Sequence, residues 1–81
     1  MTIRVSVIGA TGRMGKLALE IVQAAQDLEL HSALDSSSEL AQAQGADVIF
    51  EATKLEVSQK VLDFAIQNKI NLLIAVKLPK I

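Results

Sequence analysis

Hydrophobic residues in this chain recur at two alternating spacings. Ile3 to Ile8 (IRVSVI) is rich in β-branched residues and ends at a glycine, which predicts a strand. From Met14 the period changes. Met14, Leu17, Ala18, Ile21, Val22 and Ala25 fall on one face of a helix, with Lys16, Glu20, Gln23 and Asp27 off that face. Leu28 to Leu34 (LELHSAL) alternates and predicts a second strand. Ser36 and Glu39 have the spacing of a capping box and Gly45 is a natural stop, so a short helix is expected near residues 37–43. Asp47 to Ala52 predicts a third strand. Thr53 and Glu56 form a second capping-box pattern, opening a helix with Val57, Val61, Phe64 and Ala65 on its apolar face. Ile70 to Val76 (INLLIAV) is almost uniformly apolar, as a parallel strand covered on both faces should be.

The predicted order is β-α-β-α-β-α-β. Strands alternating with helices imply an α/β fold with a parallel sheet and right-handed crossovers. The expected strand order is 2-1-3-4, a truncated, Rossmann-like, doubly wound sheet. Its switch point lies between strands 1 and 3, where open parallel sheets bind ligands at their carboxyl ends.

Composition narrows the partners. The 81 residues are expected to make one domain, and with half of them apolar the composition suits a globular core and argues against disorder. Eight basic and nine acidic residues are interspersed, giving a net charge of −1. Without a basic block or aromatic platform, nucleic acid is not expected as a partner. Cysteine is absent, which removes disulfides, thiolate metal sites and a cysteine nucleophile. The apolar runs are too short to cross a bilayer, and the first residues lack a signal-peptide core. The expected location is the cytoplasm.

The candidate chemistry lies between the first strand and the first helix, in VIGATGRMG. Gly9 allows a sharp turn, Gly12 lets a pyrophosphate approach the backbone, and Gly15 lets the helix pack closely. Amides at the helix start would face the phosphates, backed by the helix dipole. The Gly-x-x-Gly-x-x-Gly spacing is one residue longer than the commonest dinucleotide fingerprint. Within the loop, Thr11, Arg13 and Met14 join the three glycines as candidate cofactor residues. Arg13 is the cation able to reach phosphate, its alternative being a solvated surface side chain. Asp35 stands 20 residues after Gly15, where the fingerprint expects an acid for the adenosine ribose. A carboxylate there favours NAD(H) over NADP(H), because a 2′-phosphate would meet a negative charge. The plain alternative is a turn aspartate before a serine-rich loop.

These residues resemble a known family. VIGATGRMGK, with LELHSALD, GADVIFEAT and FAIQNKINLLIA, is similar to the N-terminal domain of dihydrodipicolinate reductase (4-hydroxy-tetrahydrodipicolinate reductase) of lysine and diaminopimelate biosynthesis. The likeness runs over residues 3–75. It implies an NADH- or NADPH-using oxidoreductase domain, with Gly12, Arg13 and Met14 at the pyrophosphate, Asp35 at the ribose and Thr53 near the nicotinamide. Two motifs depart from the family. Its Asp-Phe-Thr is Glu51-Ala52-Thr53 here, and Val76, Lys77, Leu78 and Pro79 replace a Gly-Thr-Thr-Gly loop that helps hold the nicotinamide. The family's second domain, with the substrate site and a histidine-rich catalytic motif, has no counterpart in these 81 residues.

No catalytic set and no metal site is expected. His31 is the single histidine and reads as a packed or edge residue; Ser36, Ser37 and Ser38 lack a positioned base and read as turn residues. Glu51 reads as a polar strand terminus, and Lys54 and Lys77 as solvated lysines. The fourth strand is expected to be an apolar edge, which predicts a homodimer or aggregation through Ile70–Val76 unless Lys77 to Ile81 (KLPKI) folds over it. The leading reading is a dinucleotide-binding module that does not turn over by itself. A stand-alone adenine-nucleotide sensor and a structural or designed fragment without ligand are the alternatives.

Overall fold

The computed structural model describes residues 2–35, 37–53 and 55–75. In chain order its elements are β1 (Ile3–Ile8), α1 (Arg13–Ala24), β2 (Leu28–Leu34), a 3₁₀ turn (Leu40–Ala43), β3 (Val48–Glu51), α2 (Leu55–Asn68) and β4 (Asn71–Ile74). The four strands are parallel and ordered β2-β1-β3-β4, as the alternation of periods predicts.

Strand parity divides the core into two layers. Val5 and Val7 of β1 point to the α1 side, where they pack with Ala18, Val22 and Phe50. Ile8, Leu34 and Ile49 point to the other side, against Ala43, Val61 and Ala65. The division follows from handedness. The chain steps one way from β1 to β2 and the opposite way from β2 through β3 to β4. Right-handed crossovers therefore put α1 and α2 on opposite faces.

The structure corrects several expectations. The short second helix is a single 3₁₀ turn rather than a helix over 37–43. Ser36, the first residue of its capping pattern, lies outside the described residues, as does the side chain of Glu56 in the second pattern. The apolar face of α1 is only half covered: Ala18 and Val22 are buried, but Met14 is 54% and Ile21 56% exposed. Nor is β4 covered on both faces, since Leu73 is 58% exposed. One cause explains both. Helix α1 lies over β1 and β2, so nothing described covers the same face of β3 and β4. Met14, Leu17 and Ile21 with Val48, Phe50 and Leu73 line an open apolar trough of about 480 Å³ there.

The β1–β2 ladder and the end of α2 are both locally irregular. Between Val5 and Ser6 the β1–β2 register slips so that His31 has no partner, and its ring bonds the Gln44 carbonyl at 2.8 Å instead. Helix α2 ends at Lys69 with φ 55°, a left-handed conformation, and the next amide, of Ile70, donates to Ala65 O at 2.9 Å.

Candidate functional site: the β1–α1 loop and the ends of β2 and β3

The site forms where β1 ends. Gly9 takes φ +89°, which a side chain would strain, and turns the chain out of the sheet. A β-carbon on Gly9 would lie 2.5 Å from the carbonyl oxygen of Ala52, so the loop presses directly on the end of β3. On Gly15 the clash would be worse, 1.9 Å from Gly9 O. That contact lets α1 start at the sheet surface. Gly12 differs: its β-carbon would meet only Gly9 O, at 3.4 Å, with open space beyond.

The loop is tied down from two sides. The amides of Gly9 and Ala10 both donate to Leu34 O, the last carbonyl of β2, at 2.9 and 3.0 Å. The Gly12 amide donates to Gly9 O at 3.1 Å, closing the turn, and the Lys16 amide then begins the helical ladder on Gly12 O. Arg13, Met14 and Gly15 are the first helical residues, so their amides have no carbonyl within the helix. Gly12, as N-cap, brings no side chain to cap them, and the first turn holds no acid. This helix start is shaped for an anion. Thr11, Gly12, Arg13 and Met14 are exposed at its mouth.

Asp35 follows directly on Leu34 and therefore stands beside the loop, as its spacing predicts. Its Oδ1 accepts from the Ser37 hydroxyl at 2.6 Å, the Ser37 amide at 2.8 Å and the Ser38 hydroxyl at 3.3 Å. The Ser37 donors, hydroxyl then amide, hold the carboxyl below the usual carboxylate range, opposed by slight desolvation and helped by Ser38. All three donors converge on one oxygen, which leaves Oδ2 for a ligand. Ser37 and Ser38 are turn residues, as expected, and their donors hold the carboxylate.

Glu51 is the residue the sequence misplaces. It ends β3, as expected, but it is fully buried at that strand terminus. Its Oε1 accepts from the Thr53 amide at 2.9 Å and from the Thr53 hydroxyl, while Oε2 accepts from the Ser58 hydroxyl at 2.7 Å. A signal was present: Glu51 shares parity with core Ile49, so β3 had to turn both side chains to one face. Thr53 is partly buried, with its methyl against Gly9. The loop glycines, Asp35 and Thr53 are thus brought to one end of the sheet. His31 and the 3₁₀ turn belong to a different region. Lys54 and residues 76–81, including Val76, Lys77, Leu78 and Pro79, lie outside the described residues. Among the described residues no group of acids and histidines could hold a metal ion, and no helix is long and apolar enough to cross a membrane.

Comparison with known proteins gives a consistent result. Residues 3–46 match the family described as dihydrodipicolinate reductase, N-terminus. The 4-hydroxy-tetrahydrodipicolinate reductase of Clavibacter sepedonicus is 45% identical over 74 residues, covering 91% of this chain and 27% of its own. That of Cutibacterium acnes is 42% identical over 69 residues, covering 85% and 28%. Among solved structures, a dipicolinate-bound dihydrodipicolinate reductase from Paenisporosarcina sp. TG-14 superposes with a TM-score of 0.78 at 20% identity, over 93% of this chain and 37% of that one. This last likeness establishes the fold alone. The chain spans just over a quarter of the length of these curated relatives.

Proposed function

Since the chain belongs to the dihydrodipicolinate reductase family, we propose that it binds the pyrophosphate and adenosine ribose of a pyridine dinucleotide, with a preference for NAD(H) over NADP(H). The observation that carries this reading is the Leu34 carbonyl. It ties the glycine loop to the residue preceding Asp35, so a helix start suited to phosphate and a fixed carboxylate suited to a ribose stand side by side. Gly12 supports the fit, because a β-carbon there would project into the space a pyrophosphate needs.

In this reading the amides of Arg13, Met14 and Gly15 hold the phosphates, and the Arg13 guanidinium adds a mobile counter-charge. Thr11 contributes a hydroxyl at the loop's tip. Asp35 accepts from the ribose hydroxyls through Oδ2, and a 2′-phosphate would be repelled there. Thr53 borders the nicotinamide side. The cofactor, when bound, supplies the hydride; these residues bind and orient it. Reduction of a dihydrodipicolinate-type substrate is the activity proposed for the longer relatives. It also needs a substrate pocket, for which the described residues provide no catalytic set. Location in the cytoplasm, where such cofactors circulate, accords with this reading.

Titration calorimetry with NADH, NADPH, ADP-ribose and AMP tests it. NADH should bind more tightly than NADPH, and ADP-ribose more tightly than AMP. Absence of binding by all four at millimolar concentration overturns the reading.

The outer edge of β4 carries a second proposal, a homodimer through the strand predicted at Ile70–Val76. Among the described residues β4 pairs only with β3, and Leu73 and Ile74 at that edge are exposed. Unpaired apolar edges recruit a second strand.

A further inference from the structure

We infer that Glu51 is a positioning residue that sets the side chain of Thr53 against the glycine loop; this rests on the reading of Thr53 as a cofactor-side residue. Three observations converge. Glu51 is fully buried at the carboxyl end of β3, where burying a carboxylate is costly unless its oxygens are satisfied. Both oxygens accept hydrogen bonds, and two of the three donors come from Thr53, its amide and its hydroxyl. The Thr53 methyl is in turn held on Gly9: a β-carbon built on Gly9 would lie 3.0 Å from Thr53 Cγ2.

Threonine has two heavy atoms on its β-carbon, so fixing its hydroxyl also fixes its methyl. The carboxylate thus selects one χ1 rotamer for Thr53. In that rotamer the hydroxyl proton is committed inward to Glu51, and the methyl bears on the loop. Ser58, a turn into α2, holds the second oxygen and keeps the carboxylate from rotating away. Glu51 touches neither cofactor nor substrate in this arrangement; it acts through Thr53. The site therefore offers a cofactor a shaped apolar contact at Thr53, and the carboxylate stays inside.

Two measurements test this on the 81-residue chain. Three-bond couplings to Thr53 Cγ2 report its χ1 without ligand. They should show one rotamer in the wild type, an average in Glu51→Leu, and one rotamer again in Glu51→Gln, whose amide oxygen still accepts from Thr53. Calorimetry then compares NADH with ADP-ribose. Glu51→Leu should weaken NADH about tenfold, while changing ADP-ribose by less than about twofold. A general structural role would weaken both ligands equally. Should Glu51→Leu not fold, Thr53→Val, which removes the hydroxyl that donates to Glu51, carries the same calorimetric expectation. A single Thr53 rotamer in folded Glu51→Leu overturns the inference, as does equal weakening of both ligands. If the couplings behave as expected but the wild type binds neither ligand, the cofactor reading fails and the positioning of Thr53 stands.

Discussion

Gly15 rests on Gly9 so closely that a β-carbon on Gly15 would come within 1.9 Å of Gly9 O. The three loop glycines therefore have different jobs. Gly15→Ala must push α1 off the sheet, and Gly9→Ala must strain a backbone at φ +89° against Ala52. Each should destabilise the fold by about 1–3 kcal/mol or more. Gly12→Ala meets a single neighbour at 3.4 Å and should leave stability within about 0.5 kcal/mol, yet remove dinucleotide binding. Urea denaturation read alongside NADH titration separates the two classes. Equal destabilisation by all three would show that Gly12 serves packing as well.

Asp35 sets a second expectation. Asp35→Asn should weaken NADH about tenfold and NADPH much less, by loss of a charged acceptor. Equal effects on the two cofactors would remove Asp35 from the ribose.

The same carboxylate predicts a pH response. Its native pKa is lowered by the Ser37 hydroxyl and amide, so the turn contributes stability above the unfolded-state value. That contribution is lost as the pH falls through the lowered native value. This contribution should stay constant across neutral pH. Carbon-detected titration of Asp35 should give a midpoint below that of an unfolded reference peptide, and Ser37→Ala should raise it.

Lys69 closes α2 in a left-handed conformation at φ 55°, a place glycine fills at no steric cost. Lys69→Gly should stabilise the chain by about 1 kcal/mol, seen as a higher urea midpoint with an unchanged slope. A lower midpoint would mean that the lysine side chain contributes more than its backbone costs.

Leu73 bears on the dimer proposal. Leu73→Lys places a charge on the edge of β4 that the described residues leave unpaired, a device that blocks strand pairing. Sedimentation should show a concentration-dependent dimer for the wild type and a monomer for the variant. A wild type that stays monomeric at every concentration would exclude pairing through this edge.

The sequence makes the sheet order legible because four strand patterns are separated by two clear helical periods, although the connection between β2 and β3 is a 3₁₀ turn and not the expected helix. It locates the glycine loop and Asp35 for the same reason: both sit at junctions between elements. It does not reveal the Leu34 clamp, because a backbone carbonyl leaves no trace in residue identity. Burial of Glu51 is readable only through its parity with Ile49, against the usual preference of glutamate for water. Coverage of Met14, Ile21 and Leu73 is misread because an apolar pattern records what a face prefers to touch. What covers that face depends on the path of the chain.

The Leu34 carbonyl works as the fixed joint of a ruler. By accepting from the amides of Gly9 and Ala10, it joins the glycine loop to the strand end that carries Asp35. In the proposed reading the helix start and the carboxylate both stand in place before a ligand arrives, so little ordering cost falls on binding. Selectivity in that reading rests on length: the ligand's phosphates and ribose hydroxyls must match the spacing that this joint sets.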